Sequence, residues 1–291
     1  MRVPYWMAVP LLVLSLAPVT SGQQNVPAHL HTMLSLLERG QIVFADLDYT
    51  FIDLEHQPFD ITALRSRVLA NLEPEKIRKG EPTKTILVRI PAYGRELDRN
   101  HWQVKQVLDS GVHAVVFPTI ESVAQAQEAI KAMRYPQAPG SNDLEPQGLR
   151  GTGPAFAARV WGFSQPEYVL KADLWKLDPG GQLIPWLLVE SPAGAAAARD
   201  ICRWLQERRI GAVIWLGTAA SGSGSGGDML ATHGGSLEAV AKSVDTVMAA
   251  GREFGCTIAM VGNTEIARRI KEGARIFSGA PSASDLKAAG R

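Results

Sequence analysis

Residues 104–122 read VKQVLDSGVHAVVFPTIES and join three structural signals. The stretch begins inside a helical pattern, continues through the apolar run His113–Pro118, and reaches the start of another helical pattern at Glu121. Strands of a parallel sheet are covered on both faces and are apolar along their whole length, as this run is. The stretch therefore predicts a buried parallel strand between two helices, which is typical of an α/β fold.

The same alternation extends through the rest of the chain. The apolar runs that we predict as strands are Gln41–Ala45, Tyr49–Glu55, Thr85–Ile90, His113–Pro118, Leu183–Glu190, Gly211–Gly217, Thr257–Gly262 and Ala274–Ala280. The helical patterns between them are Asp60–Leu72, Asn100–Leu108, Glu121–Met133, Pro192–Glu207, Leu237–Phe254 and Thr264–Lys271. This repetition predicts a (β/α)8 TIM-type barrel of parallel strands. A doubly wound open sheet is the alternative.

The first βα unit does not fit a regular barrel. Only three residues separate Gln41–Ala45 from Tyr49–Glu55, whereas a parallel crossover needs about a dozen. We expect either a truncated first unit or a first run that is only a short entry segment. Both alternatives predict an irregular amino-terminal side of the barrel.

Composition limits the classes of function. The chain has 291 residues, with 30 basic and 29 acidic side chains and no long run of one sign, which argues against a nucleic-acid partner. The two cysteines, Cys202 and Cys256, are too few for a disulfide scaffold or a cysteine-based zinc site. We expect two buried thiols, which could pair if the protein is exported.

Residues 1–22 differ from the rest of the sequence and predict a secretory signal peptide. Arg2 precedes an apolar stretch that is too short to span a bilayer with ease, and small residues follow it. An uncleaved amphipathic anchor is the alternative. We therefore expect an exported protein in which residues 23–291 form a single barrel domain with no stable membrane span.

Polar side chains end two of the predicted strands, at the edge where parallel barrels carry their active sites. Asp53, Glu55 and His56 end the second strand, and Arg89 ends the third. An imidazole beside carboxylates can act as a general base, and an arginine can stabilise a developing oxyanion. The alternatives are a polar cluster that faces solvent and an ordinary salt-bridge arginine.

Two further carboxylates predict a metal site at the same edge. Glu190 ends the fifth strand, and Asp228 follows the sixth through the glycine-rich loop Ser221–Gly227. Two carboxylates can hold Mg²⁺ or Mn²⁺ and leave positions for a chelating 2-oxo acid. Taken alone, Glu190 would more often cap the next helix. The loop also matches G-x-G-x-x-G, but its composition explains that match and the required acidic residue does not follow.

The chain resembles the metal-dependent 2-oxo-acid aldolases of the HpcH/HpaI aldolase and citrate lyase family. The matching segments are IDLEHQPFD, LVRIP, VKQVLDSGVHAVVFPTIES, the pair RYP and PQGLRGTG, LLVES and GGDML. The resemblance implies a (β/α)-barrel, often a homo-oligomer, that cleaves or forms carbon–carbon bonds of a 2-oxo acid or a related acyl compound. The implied reaction passes through a pyruvate-type enolate.

The resemblance also implies roles for individual residues. His56 would be the general base with Asp53 beside it, and Arg89 would stabilise the transition state. Asp109 would raise the basicity of the histidine, in this family across a subunit contact. Arg150, in GLRGTG, is equally consistent with an anion-binding residue and a loop salt bridge.

The implied binding residues lie at the ends of the third and fifth strands and in the loop after the sixth. Glu190 and Asp228 would hold the divalent cation, which could be Mg²⁺, Mn²⁺ or Co²⁺. Arg89, Asp228 and the backbone amide of Gly227 would contact the substrate.

Three departures from the family pattern bear on function. The first strand and helix of the family are mostly missing. Leu188 replaces a glutamine that often precedes the metal-binding glutamate by two residues. Ala220 occupies the expected position of the second metal aspartate, so Asp228 fits only if Ser221–Gly227 is an insertion.

We therefore consider a metal-dependent carbon–carbon lyase first. An exported binding protein that kept the barrel and lost turnover is the second hypothesis. A barrel hydrolase that uses Asp53 and Glu190 as an acid and base is the third.

Overall fold

The computed structural model describes residues 29–141, 143–217, 237–263 and 265–291, and it contains an eight-stranded parallel sheet. The strands are β1 (Val43–Phe44), β2 (Tyr49–Asp53), β3 (Thr85–Arg89), β4 (Ala114–Phe117), β5 (Ile184–Val189), β6 (Val213–Leu216), β7 (Thr257–Met260) and β8 (Ala274–Phe277). From β2 to β8 each strand pairs with the next in sequence, and β8 pairs with β1. This order is that of a barrel.

Helices connect most of these strands. They are α1 (Thr32–Glu38), α2 (Ile61–Ala70), α3 (Pro74–Lys79), α4 (Leu97–Leu108), α5 (Val123–Met133), α6 (Ala155–Trp161), α7 (Gln165–Lys171), α8 (Pro192–Glu207), α9 (Leu237–Phe254), α10 (Ile266–Glu272) and α11 (Ala283–Ala288). Helix α1 packs Met33 and Leu34 against residues of the barrel interior. It therefore covers the amino end of the barrel.

Two apolar layers stabilise the barrel. On β3, Ile86 and Val88 belong to the layer between sheet and helices, whereas Leu87 belongs to the interior cluster. This alternation follows from the two-residue period of a strand. Arg89 has the same parity as Leu87, so the interior-facing column continues into a charged residue at the carboxyl end of the strand.

A short turn, rather than a helix, joins β1 to β2. A parallel bridge between Ala45 and Tyr49 brings the two strands together and nearly closes the barrel. Asp46 has a φ of 62°, and the buried Asp48 accepts a hydrogen bond of 2.8 Å from the backbone N of Phe44. Arg291 pairs with the same Asp48 carboxylate at 2.5 Å. These polar contacts hold the turn where a regular unit would have a helix.

The predicted barrel and its truncated first unit are confirmed, and the closure rules out an open sheet. All eight predicted strands are present with shorter ends. Among the described residues the prediction missed five helices, α1, α3, α6, α7 and α11, none of which exceeds 7 residues. Such short helices do not repeat the apolar period often enough to be recognised.

Two other expectations concern the thiols and the amino-terminal segment. Cys202 is buried in α8 and Cys256 is half-buried before β7, and both thiols are free. A hydrogen bond to Cys256, together with burial, raises the pKa of the Cys202 thiol. The predicted signal peptide lies outside the described residues. Within the described ranges, no helix has the length and apolar character that crossing a membrane requires.

Candidate active site

The carboxyl ends of β2 and β3 bring two predicted residues into contact. Asp53 is the last residue of β2 and lies in register with Arg89, the last residue of β3. Both follow the interior-facing parity of their strands, after Phe51 and Leu87. The alternation that fills the barrel with apolar side chains thus places these charges at its mouth.

The chain turns sharply after Asp53, and this turn positions His56. Asp53 Oδ1 accepts hydrogen bonds from the backbone N of Glu55 at 2.9 Å and of His56 at 3.3 Å. This is the turn that aspartate favours when its side chain bonds the backbone two residues later. It brings His56 Nδ1 to 3.0 Å from Asp53 Oδ2, while the imidazole remains 64% exposed.

Arg89 holds both carboxylates of this segment. Its Nε donates to Asp53 Oδ1 at 3.1 Å, Nη2 contacts Asp53 Oδ2, and Nη1 lies 3.0 Å from Glu55 Oε2. Burial opposes ionisation of Asp53, but the hydrogen bonds from Arg89 and His56 outweigh it and lower the Asp53 pKa to about 2. Asp53 is therefore a permanent anion near neutral pH, suited to orienting an imidazole.

The pKa of Glu55, at the same end of the barrel, is shifted in the opposite direction from that of Asp53. Burial raises its pKa, Arg89 opposes that effect, and the nearby charge of Glu190 raises the pKa further. Its Oε2 is buried without a hydrogen bond, although it lies 3.0 Å from Arg89 Nη1. Glu55 and Glu190 therefore repel each other across the opening, and a cation between them would relieve that repulsion.

The Glu190 carboxylate is oriented by β4 and β6. Its Oε1 accepts hydrogen bonds from the backbone N of Thr119 at 2.9 Å and from Thr119 Oγ1 at 2.7 Å. A Cβ at Gly217 would lie 2.9 Å from the Glu190 Cβ, so glycine is needed at the end of β6. Ser191 caps α8 by accepting from the backbone N of Gly194. Glu190 is therefore free of the capping role that its sequence position also allowed.

A divalent cation fits Glu190 better than the neighbouring acidic group. Asp53, Glu55 and His56 have ligand atoms within 4.8 Å of one another, but Arg89 already neutralises both carboxylates there. Among the described residues, no cationic side chain pairs with Glu190, and its carboxylate has an oriented geometry of the kind that metal ligands show. The predicted metal ligand Asp228 and the predicted substrate-binding residue Gly227 lie outside the described residues.

Asp109 lies away from this site within the chain. It follows α4, is 5% exposed, and pairs with Arg150 Nη2 at 2.8 Å and with Lys105 Nζ at 2.5 Å. The Arg150 guanidinium also lies 4.4 Å from the centre of the Tyr135 ring. The loop salt bridge anticipated for Arg150 is thus present. No described residue of this chain links Asp109 to His56.

An aromatic floor lies beneath the charged residues. Phe51 and Trp215 pack edge to face with ring centres 5.6 Å apart, and Trp215 packs in the same way on Trp186. The Arg89 guanidinium lies 5.6 Å from the Phe51 ring centre. Trp186 and Trp215 are both buried, so these rings fill the space below the mouth of the barrel.

Sequence reasoning did not assign functional roles to Glu55, Thr119 and Gly217. Glu55 shares the interior-facing parity of Asp53, and that parity was a usable signal. Thr119 follows the apolar run of β4 directly, in the same position as the charged residues of β2 and β3. The requirement for glycine at position 217 depends on close packing against another strand and leaves no local pattern.

Comparison with known proteins gives consistent matches. A family model described as HpcH/HpaI aldolase/citrate lyase matches residues 35–280. A hydroxypyruvate/pyruvate aldolase of Roseovarius nubinhibens is 28% identical over 193 residues, covering 60% of this chain and 63% of the relative. The protein of the same name from Delftia acidovorans is 28% identical over 212 residues, covering 72% and 65%. The chain thus spans less than two thirds of the length of these curated relatives.

The fold also has a match among solved structures. A crystal structure of an HpcH/HpaI aldolase/citrate lyase family protein from Burkholderia cenocepacia aligns with a TM-score of 0.61 at 25% identity. The alignment covers 88% of this chain and 96% of that chain. The barrel described here is therefore similar to that protein over nearly its whole length.

Proposed function

The chain belongs to the HpcH/HpaI aldolase/citrate lyase family, and we propose that it is a divalent-metal-dependent carbon–carbon lyase acting on a 2-oxo acid. The hydroxypyruvate/pyruvate aldolase names of its relatives support a pyruvate-type substrate. The single observation that carries the proposal is the contact among Asp53, His56 and Arg89 at the mouth of the barrel. It joins a proton carrier to a fixed positive charge near Glu190, whose carboxylate pairs with no cationic side chain among the described residues.

His56 is the proton carrier in this proposal. His56 Nδ1 lies 3.0 Å from Asp53 Oδ2 and 2.6 Å from Arg89 Nη2, and in the tautomer whose Nδ1–H donates to the Asp53 anion, Nε2 is the basic nitrogen. In the cleavage direction a base removes the hydroxyl proton from C4 of a 4-hydroxy-2-oxo acid. The C3–C4 bond then breaks, an aldehyde leaves, and the bonding electrons pass into the enolate of the 2-oxo acid. Return of a proton to C3 completes the reaction.

Arg89 provides the fixed positive charge for the anion that develops. Asp53, Glu55 and the Phe51 ring all contact its guanidinium, so its orientation is established before substrate binds. Preorganised charge of this kind stabilises a transition state without reorganisation. The aromatic floor lowers the local polarity and so strengthens the effect.

Glu190 would hold the divalent cation, with Asp228 as the second predicted carboxylate. When bound, the cation supplies Lewis-acid stabilisation of negative charge on the keto oxygen of the substrate. Thr119 keeps one oxygen of the Glu190 carboxylate in place. The negative potential between Glu190 and Glu55 favours Mg²⁺, Mn²⁺ or Co²⁺ at this position.

Asp109 and the oligomeric state form a linked part of the proposal. Within this chain Asp109 is paired with Arg150 and Lys105, so its role toward the histidine requires a second copy of the chain. We propose a homo-oligomer, and sedimentation of the wild type and of Asp109→Asn tests it. Export through residues 1–22 stays a prediction, which amino-terminal sequencing of secreted protein would check.

The test of the proposed function is exchange of pyruvate methyl protons with D₂O, followed by NMR in the presence of Mg²⁺. We expect metal-dependent exchange that falls by about 10²–10⁴-fold in His56→Ala and is lost in Glu190→Ala. Half-buried His101, which pairs with Glu128 away from the candidate site, provides the control His101→Ala, which should retain exchange.

A second candidate function is a binding protein without turnover. Leu188 favours it, because this 2% exposed side chain presents no polar group to a substrate. Binding of Mn²⁺ and pyruvate without methyl exchange would establish this alternative. Failure of both ligands to bind would refute both functions.

A further inference from the structure

The amino end of the barrel holds a cavity of about 280 Å³ that no residue of the candidate active site lines. It lies beside the start of β3 and the residue that precedes β4, Ile86 and His113. The volume is just below the range of about 300–1,000 Å³ that is typical of ligand pockets. A ligand that fits it must therefore be small.

The imidazole of His29 lines this cavity without a hydrogen-bond partner. His29 is 7% exposed, and neither of its ring nitrogens has a hydrogen-bond partner among the residues that the structure describes. Burial lowers its pKa, although the charge of Glu38 opposes that effect. A buried polar group left unpaired costs about 1–3 kcal/mol. A polar ligand atom in the cavity would recover that cost.

The imidazole of His113 supplies a directed donor in the same cavity. Its Nδ1 accepts a hydrogen bond of 3.1 Å from the backbone N of Ile86, so the ring proton of the neutral form lies on Nε2. No described residue accepts a hydrogen bond from Nε2. The ring stacks on Trp161 with 11° between the planes and centres 5.4 Å apart. This stacked N–H donor requires an acceptor on the ligand.

The charges of the lining favour an anion. Lys84 and Lys171 line the cavity together with a single carboxylate, the exposed Glu81. Neither lysine forms an ion pair with a carboxylate in the described part of the chain, although Lys84 Nζ donates a hydrogen bond to the backbone O of Asp46. Lys171 Nζ instead lies 5.4 Å from the centre of the Phe163 ring, which also lines the cavity. The lining thus carries two cations against one anion.

The remaining walls are apolar and closely packed. Ile77 and Val160 face the cavity with Trp161. A Cβ at Gly162 would lie 2.8 Å from Ile77 Cγ2, and Gly162 has a φ of 78°, so glycine keeps this wall in place. A flat ring fits such walls: Trp161 already packs on His113 and Tyr168, and a ligand ring against its edge would have the edge-to-face geometry that aromatic pairs favour.

We propose that this cavity binds a small aromatic carboxylate of about the size of benzoate, with its ring beside Trp161 and its carboxylate facing His113 and the two lysines. The His29 imidazole provides a further polar contact. The site is separate from the proposed lyase centre, and its occupation does not depend on lyase activity.

The test is a ¹⁹F NMR titration of the full chain with 4-fluorobenzoate, using 4-fluorobenzamide as the uncharged comparison. We expect saturable binding of the acid and at least about tenfold weaker binding of the amide, as for the loss of a charge-assisted hydrogen bond. Lys171→Met and His29→Phe should each weaken binding of the acid by about the same factor. Exposed Lys79 on α3 does not line the cavity, and Lys79→Met is the matched control.

Each other outcome overturns the proposal. Absence of saturable binding, equal affinity for acid and amide, or a similar loss in Lys79→Met would each contradict it. Oxalate is a small dianion that suits the candidate active site at the carboxyl end of the barrel. Displacement of 4-fluorobenzoate by oxalate would mean that the probe binds there and not in the amino-end cavity. If His29→Phe does not fold, as judged by its thermal transition, Lys171→Met carries the test alone.

Discussion

The two ends of the barrel both concentrate ionisable side chains, but they control charge in opposite ways. At the carboxyl end, Asp53 stays ionised because Arg89 and His56 donate hydrogen bonds to it. At the amino end, burial lowers the pKa of His31 to about 3 and that of His113 well below its usual value. One end thus keeps its charges by pairing them, and the other removes charge by desolvation.

The hydrogen bonds explain why these neutral imidazoles are stable. Thr85 Oγ1 accepts from the backbone N of Met33, so its own proton can donate to His31 Nδ1 at 2.9 Å. His31 Nε2 then donates to the backbone O of Gln182 at 2.9 Å. Both nitrogens of the neutral ring are satisfied, and protonation would force the Thr85 hydroxyl to give up its donation to Nδ1. The buried imidazoles His31 and His113 at the amino end are therefore neutral, whereas the Asp53 carboxylate at the carboxyl end is ionised.

The largest expected effect comes from removing the guanidinium that organises the carboxyl end. Arg89→Met leaves Asp53 and Glu55 without a counterion, so the pKa of Asp53 should rise. Loss of a preorganised donor typically costs about 10²–10³-fold in rate. We expect a loss of that size in pyruvate methyl exchange, measured by NMR. Arg89→Lys should recover only part of it, because one ammonium cannot serve both carboxylates. Unchanged exchange in Arg89→Met would show that the paired charges at the carboxyl end do not contribute to the reaction.

The next effect concerns stability at the amino end. The folded pKa of His31, about 3, lies below its unfolded value of 6.5, so its neutral form stabilises the protein fully above pH 6.5. That contribution is lost as the pH falls from 6.5 toward 3, by about 2–3 kcal/mol between pH 6.5 and 4.5. In His31→Gln this part of the pH dependence should disappear. Urea unfolding at pH 7.0, 5.5 and 4.5 measures it, and parallel curves for both proteins would contradict the prediction.

A smaller effect is expected from the residue that orients Glu190. Thr119→Ala removes the hydroxyl that donates to Glu190 Oε1, and groups that orient metal ligands typically contribute about 10–100-fold in metal affinity. We expect weaker Mn²⁺ binding by that factor in a calorimetric titration. Thr119→Ser keeps the hydroxyl and should bind nearly as well as the wild type. An equal loss of Mn²⁺ affinity in Thr119→Ala and Thr119→Ser would mean that the Thr119 hydroxyl does not orient Glu190.

The smallest effect returns to Asp53 and to stability in acid. Its folded pKa of about 2 lies below the reference value of 3.8, so its pairing stabilises the protein above about pH 4 and is lost as the pH falls toward 2. After allowance for solvent screening we expect about 1–2 kcal/mol. Between pH 5 and pH 2.5, Asp53→Asn should lose less stability than the wild type in thermal unfolding. Exposed Asp245 on α9 is the control, and Asp245→Asn should follow the wild type.

The barrel could be predicted from sequence because each strand is a continuous apolar run. The truncated first unit was also predictable, since the gap between β1 and β2 is too short for a helix. The conformations of the loops that build the site depend on contacts that no sequence period reveals. Asp53 and Arg89 could be placed at one edge from strand parity, whereas the backbone turn that brings His56 to Asp53 could not.

Long-range partners explain the remaining differences from prediction. Asp109 pairs with Arg150 across an irregular loop that has no sequence period, so their contact was invisible in the pattern. His113 received no functional interpretation, because its neutral state depends on burial beside His31 and Trp161. Such environments arise only after the chain has packed.

The most direct test of the account is anomalous diffraction from crystals soaked with Mn²⁺. We predict a manganese signal within coordination distance of the Glu190 carboxylate, with Arg89 still bound to Asp53 and Glu55. A manganese signal at Asp53, Glu55 and His56 instead, with Arg89 displaced, would contradict the account. It would mean that His56 binds the metal rather than carrying the proton.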